Sequence, residues 1–134
     1  GFTNCPDVCP TTLKIMQGVW KKLPADKAKP GMLFFSVDPD RDPPALLKKY
    51  VTYYHPEFMG VTGNLNQIDI ITNQLGILYG YDDKEDKPDD YTVNHSAQVL
   101  LTDPQGRMRA VFSPPYDAES ISHALKVIRD FYEG

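Results

Sequence analysis

The sequence predicts an α/β sandwich with a mixed sheet, and three features support this fold class. Helical and strand patterns alternate along the 134 residues. A short apolar run at residues 32–37 is typical of a strand buried in the middle of a sheet. Two predicted strands, residues 93–102 and 107–112, are joined by a turn with proline and glycine, which is typical of an antiparallel hairpin. A buried strand and a hairpin in one chain predict strands that run in both directions.

Proline positions and apolar spacing predict the first two helices. Pro10 suits a first helical turn, apolar side chains follow at helical spacing, and Pro24 ends the segment. Pro43 begins a second helix, whose apolar face extends to Tyr54. A brief strand at residues 58–61 follows this helix.

Polar side chains mark the starts of the two remaining helices. Asn64 is followed three residues later by Gln67, which is the pattern of a capping box, and apolar spacing then extends the third helix to Leu78. Asp117 is the predicted cap of the last helix. Residues 82–90, which contain six acidic residues around a proline, are predicted to form an exposed loop.

Composition and charge limit the class of protein. The chain has 41% hydrophobic and 24% charged residues, as globular domains do, and its length fits a single domain over residues 1–134. Fourteen Lys and Arg against eighteen Asp and Glu give a net charge of −4. This balance argues against a nucleic-acid partner and against a polybasic membrane surface. No apolar run approaches the roughly 18 residues that a membrane span requires.

The residues that carry chemistry begin almost at the start of the sequence. Gly1 stands where a complete protein would have methionine. A redox-type cysteine motif at the start of a helix normally follows a strand, and no strand pattern precedes this one. We therefore expect the usual N-terminal strand or strands, and any membrane anchor or export signal, to lie upstream of Gly1 in a longer native protein.

Cys5 and Cys9 place two thiols where a loop turns into the first helix. Unsatisfied N–H groups and the positive end of the helix dipole stabilise thiolates at such a position. The thiolate is the form that binds metals and that carries out disulfide exchange. The alternative is a pair of core cysteines or a static disulfide, although prolines beside both thiols and Asp7 between them suit a shaped loop better.

His95 is the second element of a candidate site, because it lies at a loop-to-strand junction, where functional groups gather in α/β sheets. Its alternative is an ordinary surface histidine, which is also the prediction for His55 and His123. If Cys5, Cys9 and His95 converge, two thiolates and an imidazole form a soft ligand set that suits Cu(I), or Cu(II) with added ligands. Zn(II) is the competitor, although structural zinc normally takes four protein ligands.

The third element is the acidic motif at residues 38–42, which follows the buried strand. Asp42 precedes two prolines and is a candidate N-cap of the second helix. The alternative is a role at the site, in which Asp38 or Asp42 tunes the electrostatics or Arg41 holds the loop. The acidic segment 82–90 is a solvated face, a lid that moves the histidine towards a metal, or a docking surface for a basic partner.

Five separated motifs occur in a fixed order along the chain. They are GFTNCPDVCPTT at 1–12, FSVDPDRD at 35–42, GVTG at 60–63, YTVNHS at 91–96 and DPQG at 103–106. Together they cover nearly the whole chain, and this set resembles the SCO (SenC/PrrC) family of copper chaperones. The resemblance implies a thioredoxin-like fold and a copper site formed by Cys5, Cys9 and His95.

The resemblance also implies a function, partners and a location. The family inserts copper into the binuclear copper site of cytochrome c oxidase subunit II, and other copper-handling proteins are further expected partners. Its members are typically anchored by one N-terminal span and work in the bacterial periplasm or the mitochondrial intermembrane space. The family often has Asp before the ligand histidine, whereas this chain has Asn94, so a charge near the copper is missing.

Two other functions are compatible with the same residues. Cys5 and Cys9 can form the redox pair of a thiol–disulfide oxidoreductase that keeps the cysteines of the oxidase copper site reduced. The other function is that of a copper or redox sensor, which changes partners through the acidic segment 82–90. The leading hypothesis is a metal-binding chaperone rather than an enzyme. A three-ligand copper site needs His95, whereas an oxidoreductase does not.

Overall fold

The computed structural model describes residues 1–4, 8–23, 30–82, 84–86, 91–95 and 98–133. The chain falls into two compact units. The first comprises Gly1–Leu13 and Pro30–Ser96, and the second comprises Lys14–Lys29 and Ala97–Gly134. No helix in the described ranges has both the length and the apolar character that crossing a membrane would require.

Helices and strands alternate through the described residues, as the sequence predicts. They are α1 (Val8–Lys22), β1 (Leu33–Phe35), α2 (Pro44–Thr52), β2 (Met59–Val61), α3 (Leu65–Leu75), β3 (Tyr79–Asp82), β4 (Thr92–His95), β5 (Val99–Thr102), β6 (Met108–Phe112) and α4 (Ala118–Glu133). β1 and β2 pair in parallel, whereas β3 with β4 and β5 with β6 are antiparallel. The predicted α/β class with strands in both directions is confirmed, although these short strands form three two-stranded sheets.

The parallel pair in the first unit packs against α2. Register places Phe34 opposite Gly60, and α2 contributes Leu47 and Val51, which are fully buried. These side chains form an apolar layer beneath the ends of β1 and β2. β1 leads through the buried residues Ser36 and Val37 into the loop at 38–42.

Gly60 lies where β2 passes closest to α2. A Cβ atom at this position would meet the Cβ of Leu47 at 2.8 Å and its backbone carbonyl carbon at 3.3 Å. Leu47 is held by the helix backbone in a close-packed core, so it cannot move aside cheaply. We expect Gly60→Ala to lower the free energy of unfolding by about 1–3 kcal/mol in urea denaturation.

Gly80 in β3 provides the matched control for this prediction. A Cβ atom there would have no described atom within 4 Å. Gly80→Ala should therefore leave the free energy of unfolding nearly unchanged. An equal loss in the two variants would contradict the steric explanation, because it would assign the effect to strand glycines in general.

The third helix begins as predicted but ends earlier. The capping box is confirmed, since the Asn64 side chain accepts from the backbone N–H of Gln67 at 2.9 Å and the Gln67 side chain accepts from the backbone N–H of Asn64 at 3.0 Å. The predicted extension to Leu78 is wrong. Gly76 adopts a left-handed conformation with φ of 69°, which ends α3 and leads the chain into β3.

The predicted strand at 93–102 is wrong as a single element. β4 pairs with β3, while β5 pairs with β6 and forms the predicted hairpin. The exposed loop predicted for 82–90 begins within β3, where Asp82 is paired. Residues 84–86 form a turn, and the rest of that segment, residues 83 and 87–90, lies outside the described residues.

The last helix of the second unit has the predicted cap. The Asp117 side chain accepts from the backbone N–H of Ser120 at 2.7 Å. This bond is the largest of the causes that lower the pKa of Asp117. α4 then buries Ile121 and Leu125, two of the apolar residues that the spacing places on its inner face.

Candidate metal centre

Cys9 and His95 lie side by side although 86 residues separate them in the sequence. The Sγ atom of Cys9 is 3.3 Å from Nε2 of His95. Cys9 is in the first turn of α1 and is buried, while His95 is the last residue of β4 and is partly exposed. A sulfur and an imidazole nitrogen at this separation can contact one small ion or share a proton.

Cys5, the other cysteine of the predicted site, lies outside the described residues, in the segment 5–7. In the part of the chain that the structure describes, no three His, Cys, Asp or Glu residues are grouped to hold a metal ion. Cys9 and His95 account for two of the three predicted ligands. The roles of all three as metal ligands, and of the two cysteines as a redox pair, remain predictions.

Gly1 and Phe2 pack directly against this pair. A Cβ atom on Gly1 would lie 2.8 Å from Sγ of Cys9 and 2.9 Å from the ring of Phe34, so the close approach requires a residue without a side chain. Phe2 is buried, and its ring meets the imidazole of His95 edge-on with a centroid separation of 5.7 Å. The sequence predicted no role for either residue, and their position just before the cysteine motif is the signal that could have identified them.

Gly1 pairs in parallel with the end of β1 and the residues after it, on the side opposite to β2. Its N–H group donates to the carbonyl of Phe35 at 2.9 Å, and its carbonyl accepts from the N–H of Val37 at 2.9 Å. This is the hydrogen-bond pattern of a parallel bridge opposite Ser36, whose own N–H donates to Val61 on the other side. The bridge holds residues 1–4 beside the acidic loop at 38–42.

Asp42 does not cap α2, so that alternative for its role is wrong. The N-cap position is occupied by Pro43, which makes no side-chain cap. The fully buried carboxylate of Asp42 instead accepts from the N–H of Thr3 at 3.0 Å, from the hydroxyl of Thr3, and from the hydroxyl of Ser36 at 2.6 Å. These donors turn the carboxylate away from the start of the helix.

Asp38 and Arg41 form a buried ion pair in the same loop. Nε of Arg41 donates to Asp38 at 2.7 Å, and the hydroxyl of Tyr91 donates to the other oxygen of Asp38. The guanidinium lies 3.6 Å from the ring centroid of Tyr91 and 6.0 Å from that of Phe2. Arg41 therefore connects the acidic loop to the ring that packs on His95.

Two tyrosines donate hydrogen bonds to this loop. Burial, the hydrogen bond to Asp38 and the charge of Asp38 raise the pKa of Tyr91. Burial first, and the charges of Asp38 and Asp40 next, raise the pKa of Tyr81 to about 12, and its hydroxyl donates to the carbonyl of Val37. Both phenols therefore stay protonated at neutral pH and act as donors.

The described part of the acidic segment contacts the loop at 38–42 through a lysine. Nζ of Lys84 lies 2.9 Å from the carboxylate of Asp40 and 4.4 Å from the ring centroid of Tyr81. This contact ties the turn at 84–86 to the acidic loop. The lid and docking interpretations of segment 82–90 remain predictions.

The other two histidines, for which the sequence predicts no special role, lie just after α2 and on α4. Nδ1 of His55 accepts from the backbone N–H of Glu57 at 3.1 Å, and its ring stacks on Phe58. His123 is exposed on α4. Their surroundings give no reason to include either histidine in the candidate centre.

Comparison with known proteins relates the whole chain to one family. Residues 1–129 match the SCO1/SenC family model. A protein of Stutzerimonas stutzeri that is named as copper-binding is 35% identical over 131 residues, which are 97% of this chain and 63% of that protein. The mitochondrial SCO2 homologue of Bos taurus is 35% identical over 128 residues, which are 94% of this chain and 48% of that protein. This chain therefore spans less than two thirds of the length of these relatives.

Solved structures of SCO proteins share the fold. Copper-bound ScoI of Arabidopsis thaliana matches with a TM-score of 0.90 at 28% identity, over 98% of this chain and 81% of that one. Copper-bound ScoI of Bradyrhizobium japonicum matches with a TM-score of 0.82 at 33% identity, over 96% of this chain and 80% of that one. The chain belongs to the SCO1/SenC family and has the thioredoxin-like fold that its sequence motifs imply.

Proposed function

We propose that this chain is a copper metallochaperone that holds copper through Cys5, Cys9 and His95. Its cargo is destined for the binuclear copper site of cytochrome c oxidase subunit II. The observation that carries the proposal is the 3.3 Å separation between Sγ of Cys9 and Nε2 of His95. Membership of the SCO1/SenC family, and relatives named as copper-binding or solved with copper bound, support it.

The donor set fits copper chemically. Thiolate sulfur and imidazole nitrogen are ligands that Cu(I) prefers, and Cu(II) binds the same set when oxygen ligands are added. Three protein ligands leave Cu(I) open to a ligand from a partner, so cargo can pass by ligand exchange. Burial of Cys9 beneath Gly1 limits access of water and oxidants to the sulfur.

Membership of the family supports a location and a set of partners for this chain. Relatives include bacterial SCO2-like proteins and a mitochondrial SCO2 homologue, which favour the bacterial periplasm or the mitochondrial intermembrane space as the place of work. An N-terminal anchor in the longer native protein would keep the domain beside the oxidase. Other copper-handling proteins would supply the metal.

The second candidate function is thiol–disulfide exchange with a partner, in which Cys5 and Cys9 are the redox pair. The position of Cys9 in the first turn of α1 favours it, because the helix N-terminus stabilises a thiolate. The two functions are compatible in one protein. The reduced pair can bind copper, whereas the oxidised pair has no thiolate to offer.

Copper analysis of reduced protein tests the proposal. The chain is purified without air, loaded with Cu(I), passed over a desalting column and analysed for metal. We expect about one copper per chain, and far less in Cys5→Ser and Cys9→Ser, because each substitution removes a thiolate that the metal requires. His123→Ala is the control and should retain the copper of the wild-type chain. Cysteine variants that retain it too, or a wild-type chain that binds none, would refute the proposal.

A further inference from the structure

We propose that Asp42 is a positioning residue for the copper site, because its buried carboxylate fixes the segment that leads into Cys5. The inference rests on the proposed copper function. It concerns how the chain holds its ligands, since Asp42 itself has no described contact with Cys9 or His95. The first observation is that both oxygens of this carboxylate accept from Thr3, one from its N–H group and the other from its hydroxyl.

This two-point contact is what fixes the position of Thr3. A single hydrogen bond would allow the residue to rotate about it, whereas two bonds from different atoms of one residue define an orientation. Ser36 steadies the carboxylate in turn, since its hydroxyl donates to Asp42 at 2.6 Å and accepts from the N–H of Asp38 at 3.1 Å. Ser36 and Asp42 are both fully buried, so water does not compete for these bonds.

The held segment touches each described member of the candidate centre. Gly1 packs against the sulfur of Cys9, and Phe2 packs edge-on against the ring of His95. Thr3 also lies two residues before Cys5 in the sequence. A shift of Thr3 would be transmitted through Gly1 and Phe2 to the surroundings of the Cys9 sulfur and of the imidazole.

Two substitutions at Asp42 separate the effect of its hydrogen bonds from the effect of its charge. Asp42→Asn removes the charge but keeps one oxygen acceptor, and its NH2 group can donate to a hydroxyl that turns to accept. Asp42→Ala removes every bond to Thr3 and Ser36. If the hydrogen bonds to Thr3 and Ser36 are what matters, Asp42→Asn keeps most of the Cu(I) affinity and Asp42→Ala loses it.

The first measurement is Cu(I) affinity by competition with a chromophoric chelator. We expect Asp42→Ala to bind Cu(I) roughly 10–100-fold more weakly, as is usual when a partner that orients metal ligands is removed. Asp42→Asn should retain most of the affinity. Thr3→Val, which removes only the hydroxyl donor, should give a smaller loss and remains informative if the alanine variant fails to fold.

The second measurement needs no metal. The equilibrium constant for forming the Cys5–Cys9 disulfide is measured against a glutathione buffer in metal-free protein, because it depends on how the chain presents the two thiols to each other. We expect this constant to shift in Asp42→Ala and to recover in Asp42→Asn. Thr72→Val, which removes a buried hydroxyl that donates to Ile68 within α3, serves as the stability control and should leave both measurements unchanged.

Each outcome decides the inference. Equal losses in the asparagine and alanine variants would overturn it in favour of a charge effect. An unchanged disulfide constant in Asp42→Ala would overturn it, because the two thiols would then not depend on this carboxylate. An equal change in Thr72→Val would overturn it in favour of general destabilisation. If wild-type protein binds no copper, the proposed function fails, while the metal-free measurement still supports or refutes the positioning role.

Discussion

His95→Ala is expected to weaken Cu(I) binding by roughly 100-fold or more, a larger loss than removal of an orienting partner causes. The imidazole nitrogen lies 3.3 Å from the sulfur of Cys9, so its removal takes away a nitrogen ligand of the proposed copper site. The two cysteines remain, and their reactivity towards a small disulfide should be nearly unchanged. Chelator competition measures the first quantity, and the rate of reaction with a disulfide reagent measures the second.

His55→Ala is the matched control for this experiment. His55 is also a partly exposed histidine in the first unit, but its ring stacks on Phe58 and accepts a local hydrogen bond. Its removal should change neither quantity. Copper affinity in His95→Ala equal to that of wild type would refute the three-ligand proposal. A parallel loss of thiol reactivity would show that the imidazole also activates the thiolate, against the expectation that disulfide exchange does not need His95.

Local signals were sufficient to predict the starts of α3 and α4. The capping box of Asn64 and Gln67, and the cap at Asp117, each have donor and acceptor within three residues, so the sequence contains the whole interaction. β3 was not predicted because its residues gain their strand conformation by pairing with β4, beyond the acidic segment. The split of residues 93–102 has the same cause, since the residues of one strand pattern do not show where a strand changes partner.

The sequence led to the correct role for some residues of the site and not for others. The pairing of Cys9 with His95 followed from the resemblance to the SCO family, because the spacing of the residues alone does not bring them together. The sequence around Asp42 has the local pattern of a helix cap, and this pattern led to the wrong role. In the structure the carboxylate of Asp42 accepts instead from Thr3, which lies 39 residues earlier in the sequence. The position of Gly1 before the cysteine motif indicates that it lies near the site, but the reason for a glycine there, the close approach of the Cys9 sulfur and the Phe34 ring, comes from the structure.

Arg41→Leu should have the largest effect on stability of any substitution in the acidic loop. Asp38 is fully buried and its ion pair with Arg41 spans 2.7 Å, so removal of the guanidinium leaves the neutral hydroxyl of Tyr91 as the described side-chain partner of this carboxylate. Breaking a buried pair in this way costs about 3–5 kcal/mol. We expect a loss of that size in the free energy of unfolding, measured by urea denaturation with circular dichroism.

Two further variants show whether burial is the cause of that loss. Lys84→Ala breaks the neighbouring pair with Asp40, whose carboxylate is 68% exposed, and should cost no more than about 1 kcal/mol because water screens the pair. Asp38→Asn in the Arg41→Leu background removes the stranded charge and keeps an acceptor for the hydroxyl of Tyr91, so it should recover much of the loss. No recovery in the double variant would mean that the stacking of Arg41 on Tyr91, and not the ion pair, holds the loop in place.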